Sequence, residues 1–91
     1  MTVVGTIKRI EDLKQISEKF KSQDLIVTTE EEYSQTLSIQ FAQDKTELLK
    51  NFAPGQKVKI EIKLRGKEVI KDDKPPMVFN TLSAWKIERA I

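Results

Sequence analysis

From Lys57 to Arg65 the chain alternates without a break. Val58, Ile60, Ile62 and Leu64 share one parity, and Lys57, Lys59, Glu61, Lys63 and Arg65 share the other. A period of two marks a half-buried strand, which Gly66 is expected to end. Thr36–Phe41 alternates the same way, with Leu37, Ile39 and Phe41 facing in. Leu25–Thr29 is a β-branched run and reads as another strand. Thr2–Leu13 reads as the first strand. Val3, Gly5 and Ile7 alternate with Val4, Thr6 and Lys8, and the pattern then shifts phase to Ile10 and Leu13. Such a shift near a glycine predicts a bulged, strongly bent strand. Met77–Ile87 reads as the last strand. Phe79, Trp85 and Ile87 share a parity that Leu82 and Ala84 cannot join without a bulge.

The connections carry their own signals. Lys14–Gln23 is polar and lacks a period, as a loop would, with Phe20 near its end. Glu30, Glu31 and Glu32 mark a turn, on which Tyr33 is expected to pack against the body of the protein. Asp44-Lys45-Thr46-Glu47 resembles a capping box with Asp44 at the cap, and Leu48, Leu49 and Phe52 share the face of a two-turn helix. Pro54-Gly55 predicts a type II turn. Lys67–Pro76, with Asp72-Asp73 and Pro75-Pro76, reads as a loop. This order is that of a five-stranded Greek-key barrel, the OB-fold: all-β, with one short helix plugging the barrel end.

Ninety-one residues make one domain, spanning 1–91. Hydrophobic residues at 38% against 33% charged ones describe a globular protein rather than a disordered tail. The net charge of +2 points to no partner, but its distribution is uneven. Residues 57–74 hold seven bases and four acids, whereas 30–47 hold five acids and one lysine. A polyanion would be steered to the first segment, although a solvated charged surface has the same composition.

There is no cysteine and no histidine. Disulfides, thiolate metal sites and thiol nucleophiles are excluded, and the commonest general base and metal ligand are missing. No apolar run reaches the length of a membrane span, and a cytoplasmic protein is expected. The glycines are isolated, so no phosphate-cradling loop forms. The carboxylates lie in solvated turns, without an apolar setting to raise a pKa. Catalytic residues, metal sites and cofactors are therefore not expected.

Basic residues interleaved with aromatics are the stronger signal. Lys59, Lys63, Arg65 and Lys67 line the outer side of the fourth strand and the loop after it, and Lys19 and Lys21 flank Phe20. In an OB-fold those two loops rim the binding cleft. Cations there track phosphates and aromatics stack on bases. Solvent-facing lysines also discourage edge-to-edge aggregation, so the pattern has a purely structural reading as well. Phe41 and Phe52 read as core residues. Trp85, beside Ile87, reads first as a core or interface residue and second as a stacking one.

Val27-Thr28-Thr29-Glu30-Glu31, Phe41-Ala42-Gln43-Asp44-Lys45, Leu64-Arg65-Gly66-Lys67-Glu68 and Phe79-Asn80-Thr81-Leu82-Ser83-Ala84-Trp85-Lys86-Ile87-Glu88 together resemble a family of small bacterial and phage proteins of unknown function. That family has an OB-fold and is grouped with single-strand-binding-like proteins. The resemblance runs from Val4 to Glu88. It implies non-catalytic, largely sequence-independent binding of single-stranded DNA, in replication, recombination or repair. By motif position it adds Phe79, Asn80 and Trp85 to the candidate nucleic-acid contacts. RNA binding and a protein-interaction or oligomerisation module, including a homo-oligomer, are the alternatives.

Overall fold

The structure is a computed structural model and describes residues 1–90. Six strands form: β1 (Thr2–Ile10), β2 (Lys14–Ser17), β3 (Phe20–Thr29), β4 (Thr36–Ala42), β5 (Lys57–Lys71) and β6 (Lys74–Arg89). A 3-10 helix, Gln43–Asn51, joins β4 to β5. The sheet order is β1-β5-β6-β4-β3-β2, and β1 also pairs with β3. That second pairing closes β1, β5, β6, β4 and β3 into a ring, with β4 and β6 parallel and the other neighbours antiparallel. This is the five-stranded Greek-key barrel of the OB-fold, with β2 as an added edge.

One strand can pair with both β3 and β5 only if it bends. β1 does so through a register shift between Ile7 and Arg9 and through Gly5, which pairs with Thr29 on one side and Val58 on the other. A Cβ on Gly5 would lie 2.4 Å from the Thr28 carbonyl oxygen. The expected bulged, bent first strand is present, though it ends at Ile10 rather than Leu13.

Inside the ring, Ile7, Leu25, Val27, Ile39, Phe41, Val58 and Ile60 are fully buried. Leu49 covers one end, and Phe52 packs half-buried against the same cluster. The helix begins earlier than the capping-box pattern suggests. Ala42 stands at its N-cap with no side-chain cap bond, so Asp44 lies inside the first turn. The Thr46 hydroxyl, buried, instead donates to the Gln43 carbonyl at 2.8 Å. The Pro54-Gly55 turn has the expected left-handed glycine, at φ 92°. It is tied to β1, since the Gly55 N–H donates to the Ile7 carbonyl at 2.8 Å and the Ile7 N–H to the Gln56 carbonyl at 2.9 Å.

Five expectations need correction. Lys14–Gln23 is not a loop but β2, a turn and the start of β3. β2 lies at an edge and buries neither face, so it has no alternation to betray it. Gly66 does not end its strand: it pairs with Asn80 inside a ladder that runs to Lys71↔Lys74. Lys67–Pro76 is accordingly the far end of a long hairpin, turned by Asp72-Asp73. The prolines sit where the register shifts between Val69 and Lys71, a place where a missing N–H costs little. Leu64, expected inside, is 57% exposed because it lies where this arm leaves the barrel. Tyr33 is exposed on its turn instead of packing against the barrel.

Candidate nucleic-acid interface

The β5–β6 arm is a twisted two-stranded ribbon, and strand geometry fixes which residues share its outer face. Inward Ile62 pairs with Ala84, so the next positions outward are Lys63↔Ser83, Arg65↔Thr81 and Lys67↔Phe79. Leu64↔Leu82, Gly66↔Asn80 and Glu68↔Val78 occupy the other face. Asn80 therefore lies across the ribbon from the basic row, with its Oδ1 3.5 Å from where a Gly66 Cβ would stand.

Trp85 is placed by a bulge. Glu61 pairs with Lys86 and Ile62 with Ala84, leaving Trp85 as the extra residue. The insertion lets Ala84 and Ile87, three apart, both face the core, and it expels Trp85. Trp85 is 53% exposed and Phe79 50%. Trp85 is thus not a core residue of the protomer, and Phe79 does not share the inward parity with Ile87.

Two depressions follow on the outer face and share Lys63 and Arg65. One, of about 830 Å³, is lined also by Gln40, Lys67, Val69, Phe79 and Thr81. The other is lined by Ala42, Lys45, Ser83, Ala84 and Trp85. Among the described residues Lys63, Arg65 and Lys67 make no ion pair, whereas Lys57 pairs with Glu30 at 2.7 Å and Lys59 with Glu88 at 4.0 Å. Lys59 is thus a partly neutralised cation beside the row. Two anions stand near the row: Glu61, on the outward parity of β5 two residues before Lys63, and Asp24, which pairs with Gln40 across β3 and β4.

Lys19, Phe20 and Lys21 line neither depression. Lys19 lies in the β2–β3 turn and Phe20 and Lys21 open β3, a segment clamped to the start of the helix by Gln43. Its Nε2 donates to the Lys19 carbonyl at 2.7 Å, and its Oε1 accepts the Lys21 N–H at 3.2 Å. Gln43 holds φ 53°, a conformation that costs a non-glycine residue energy and that these two bonds offset. From this clamp β3 runs alongside β4, with Ser22 opposite Ala42 of the Trp85 depression. Lys21 leans toward Glu47 at 3.9 Å. The hydrogen bond and charge of Lys50, 2.7 Å away, and then the charge of Lys21, hold the Glu47 carboxyl below its ordinary 4.5.

Lys45, Gln40, Thr81 and Ser83 were not singled out from the sequence. Thr81 and Ser83 follow from the alternation once the arm is known to continue past Gly66. Lys45 had no signal, because its place depends on how the helix crosses β6. No group of acidic side chains among the described residues is placed to hold a metal, and no helix is long and apolar enough to cross a membrane.

A family model described as domain of unknown function (DUF3127) matches residues 2–88. The chain belongs to that family. No curated protein matches it in sequence. Among solved structures, this DUF3127 chain is similar to the N-terminal domain of PriB protein from Thermoanaerobacter tencongensis, described as dimeric. The TM-score is 0.69 at 21% identity, over 100% of this chain and 94% of that one. It is also similar to the mitochondrial single-stranded DNA binding protein Rim1 of S. cerevisiae, with a TM-score of 0.64 at 16% identity over 98% of this chain and 91% of that one. At such identities the likeness establishes the OB-fold.

Proposed function

We propose that the protein binds single-stranded DNA, without catalysis and with little sequence preference. One observation carries the reading. Lys63, Arg65 and Lys67, without an ion pair among the described residues, stand in a row beside two half-exposed aromatics, Phe79 and Trp85, on one face. Unpaired cations can neutralise phosphates and release counterions. Aromatic faces stack on any base, each worth about 1–3 kcal/mol. The barrel shared with Rim1, a single-stranded DNA binding protein, supports the same direction. Lys19, Phe20 and Lys21 would extend the contact beyond the Trp85 depression. Such a protein would protect or present strands in replication, recombination or repair.

The test is a titration with fluorescent oligo-dT at low salt and then rising salt, against a duplex and an oligo-rU of equal length. Salt-sensitive binding of oligo-dT, well above the duplex, is expected. An oligo-rU that binds more tightly would move the assignment to RNA. No binding at low salt, where screening is weakest, would remove the reading.

A second reading has its own observation. The opposite face of the arm exposes Leu64 and Val78, with Ile70 exposed near its tip, and apolar surface of this kind marks interfaces. The PriB domain is described as dimeric. Sedimentation of the free protein separates a monomer from a homo-oligomer, and an oligomer that ignores oligo-dT favours an interaction module.

A further inference from the structure

Two rows run side by side along the outer face of the arm. β5 carries Lys63, Arg65 and Lys67, and opposite them β6 carries Ser83, Thr81 and Phe79. One step further along β6 stands Trp85, whose depression is lined also by Lys45. Each of four successive outward positions on β6 thus has a cation near it. The end positions are aromatic, and the two between them offer only small hydroxyl side chains.

The spacing of these rows matches that of a nucleotide chain. Two residues of an antiparallel strand advance about 6.8 Å. A stacked strand of nucleic acid repeats about every 3.4 Å, and one splayed onto protein side chains at roughly twice that. One nucleotide therefore matches one outward position. From Phe79 to Trp85 the distance is about 20 Å, shortened somewhat by the bulge, or about three nucleotide steps.

Resting on the binding reading above, we propose that a single strand lies lengthwise along the arm, in a tetranucleotide site. Its end bases stack on Phe79 and Trp85. Its two middle bases pass over Thr81 and Ser83, and its phosphates lie along Lys63, Arg65 and Lys67. The small middle side chains leave room for any base, so this path makes little demand on sequence. A strand running across the sheet would meet only one of the two aromatics.

Trp85 is the only tryptophan, so quenching of its fluorescence reports stacking directly. The full chain is titrated with oligo-dT of about two to about eight nucleotides, and with tetranucleotides carrying one abasic position. Affinity is expected to climb steeply to four nucleotides and slowly beyond. An abasic site at either end should weaken binding about ten-fold, and one at either middle position less than about three-fold. F79A should weaken the tetranucleotide about ten-fold yet leave dinucleotide quenching of Trp85 in place. The abasic series needs no variant, so it stands whether or not F79A folds.

Equal abasic penalties at all four positions, or affinity still climbing steeply at about eight nucleotides, would overturn the lengthwise path while leaving strand binding intact. Absence of quenching and binding at every length would overturn both proposals.

Discussion

Replacing Gly5 with alanine tests how the barrel closes. The added Cβ would stand 2.4 Å from the Thr28 carbonyl oxygen, 3.0 Å from its carbon and 3.2 Å from the Thr29 Cα. All three are backbone atoms, so no side chain can swing aside. Opening the oxygen contact even to 3.0 Å moves β1 and β3 apart by roughly 0.6 Å, at the position where β1 also pairs with Val58 of β5. Overpacking of this kind costs about 1–3 kcal/mol. Against it, alanine restricts the unfolded chain and returns about 0.4–1 kcal/mol. The backbone clash is larger, leaving a net loss of about 1–2 kcal/mol. For a chain of this size that lowers Tm by about 4–16 °C. Gly66→Ala is the control. Its Cβ would meet only the Asn80 Oδ1, at 3.5 Å, an ordinary contact, so Tm should hold or rise. Thermal unfolding followed by circular dichroism reads both. A G5A protein melting within about 2 °C of the parent, or a G66A protein losing as much as G5A, would refute the close approach as the constraint on Gly5.

Other outcomes follow from the same geometry. Trp85→Ala removes an exposed side chain, so denaturant stability should change by less than about 1 kcal/mol while oligo-dT affinity falls about five- to 150-fold. Arg65→Gln should lower the salt dependence of oligo-dT binding by about 0.7 in log–log slope, and Lys59→Gln, already paired with Glu88, by less. The folded pKa of Glu47 is depressed, so its contribution is present above 4.5 and is lost as pH falls through the lower folded value. Lys50→Met should move the Glu47 titration midpoint, read by NMR, back toward 4.5.

The barrel was legible because its strands bury one face. Ile39 with Phe41, and Val58 with Ile60 and Ile62, announce themselves by period two, and Gly5 beside a phase shift announces the bend. What escaped notice buries nothing. β2 and the outer arm are paired ribbons in solvent, where neither alternation nor β-branching is required, and Gly66 and the two prolines read as stops. Most of the basic row was visible as the outward parity of β5, and Lys67 completes it because the strand continues through Gly66. Trp85 could not be placed. Its orientation depends on one inserted residue, and sequence parity alone does not say where a bulge falls.

The ring is shut along a narrow seam. β4 and β6 pair through two register positions, Ile39↔Leu82 and Gln40↔Ser83, while β5 and β6 are laddered from Val58↔Arg89 to Lys71↔Lys74. The hairpin forms from neighbouring segments of chain, but the seam joins residues some forty apart in sequence through only two positions, so it gains little from local contacts. Gln40 and Ser83 also line the two depressions on the outer face. Any ligand that bridges them fastens the seam, and by linkage its affinity includes the free energy of keeping the barrel closed. Amide exchange at Gln40 and Ser83 therefore gauges occupancy and closure together.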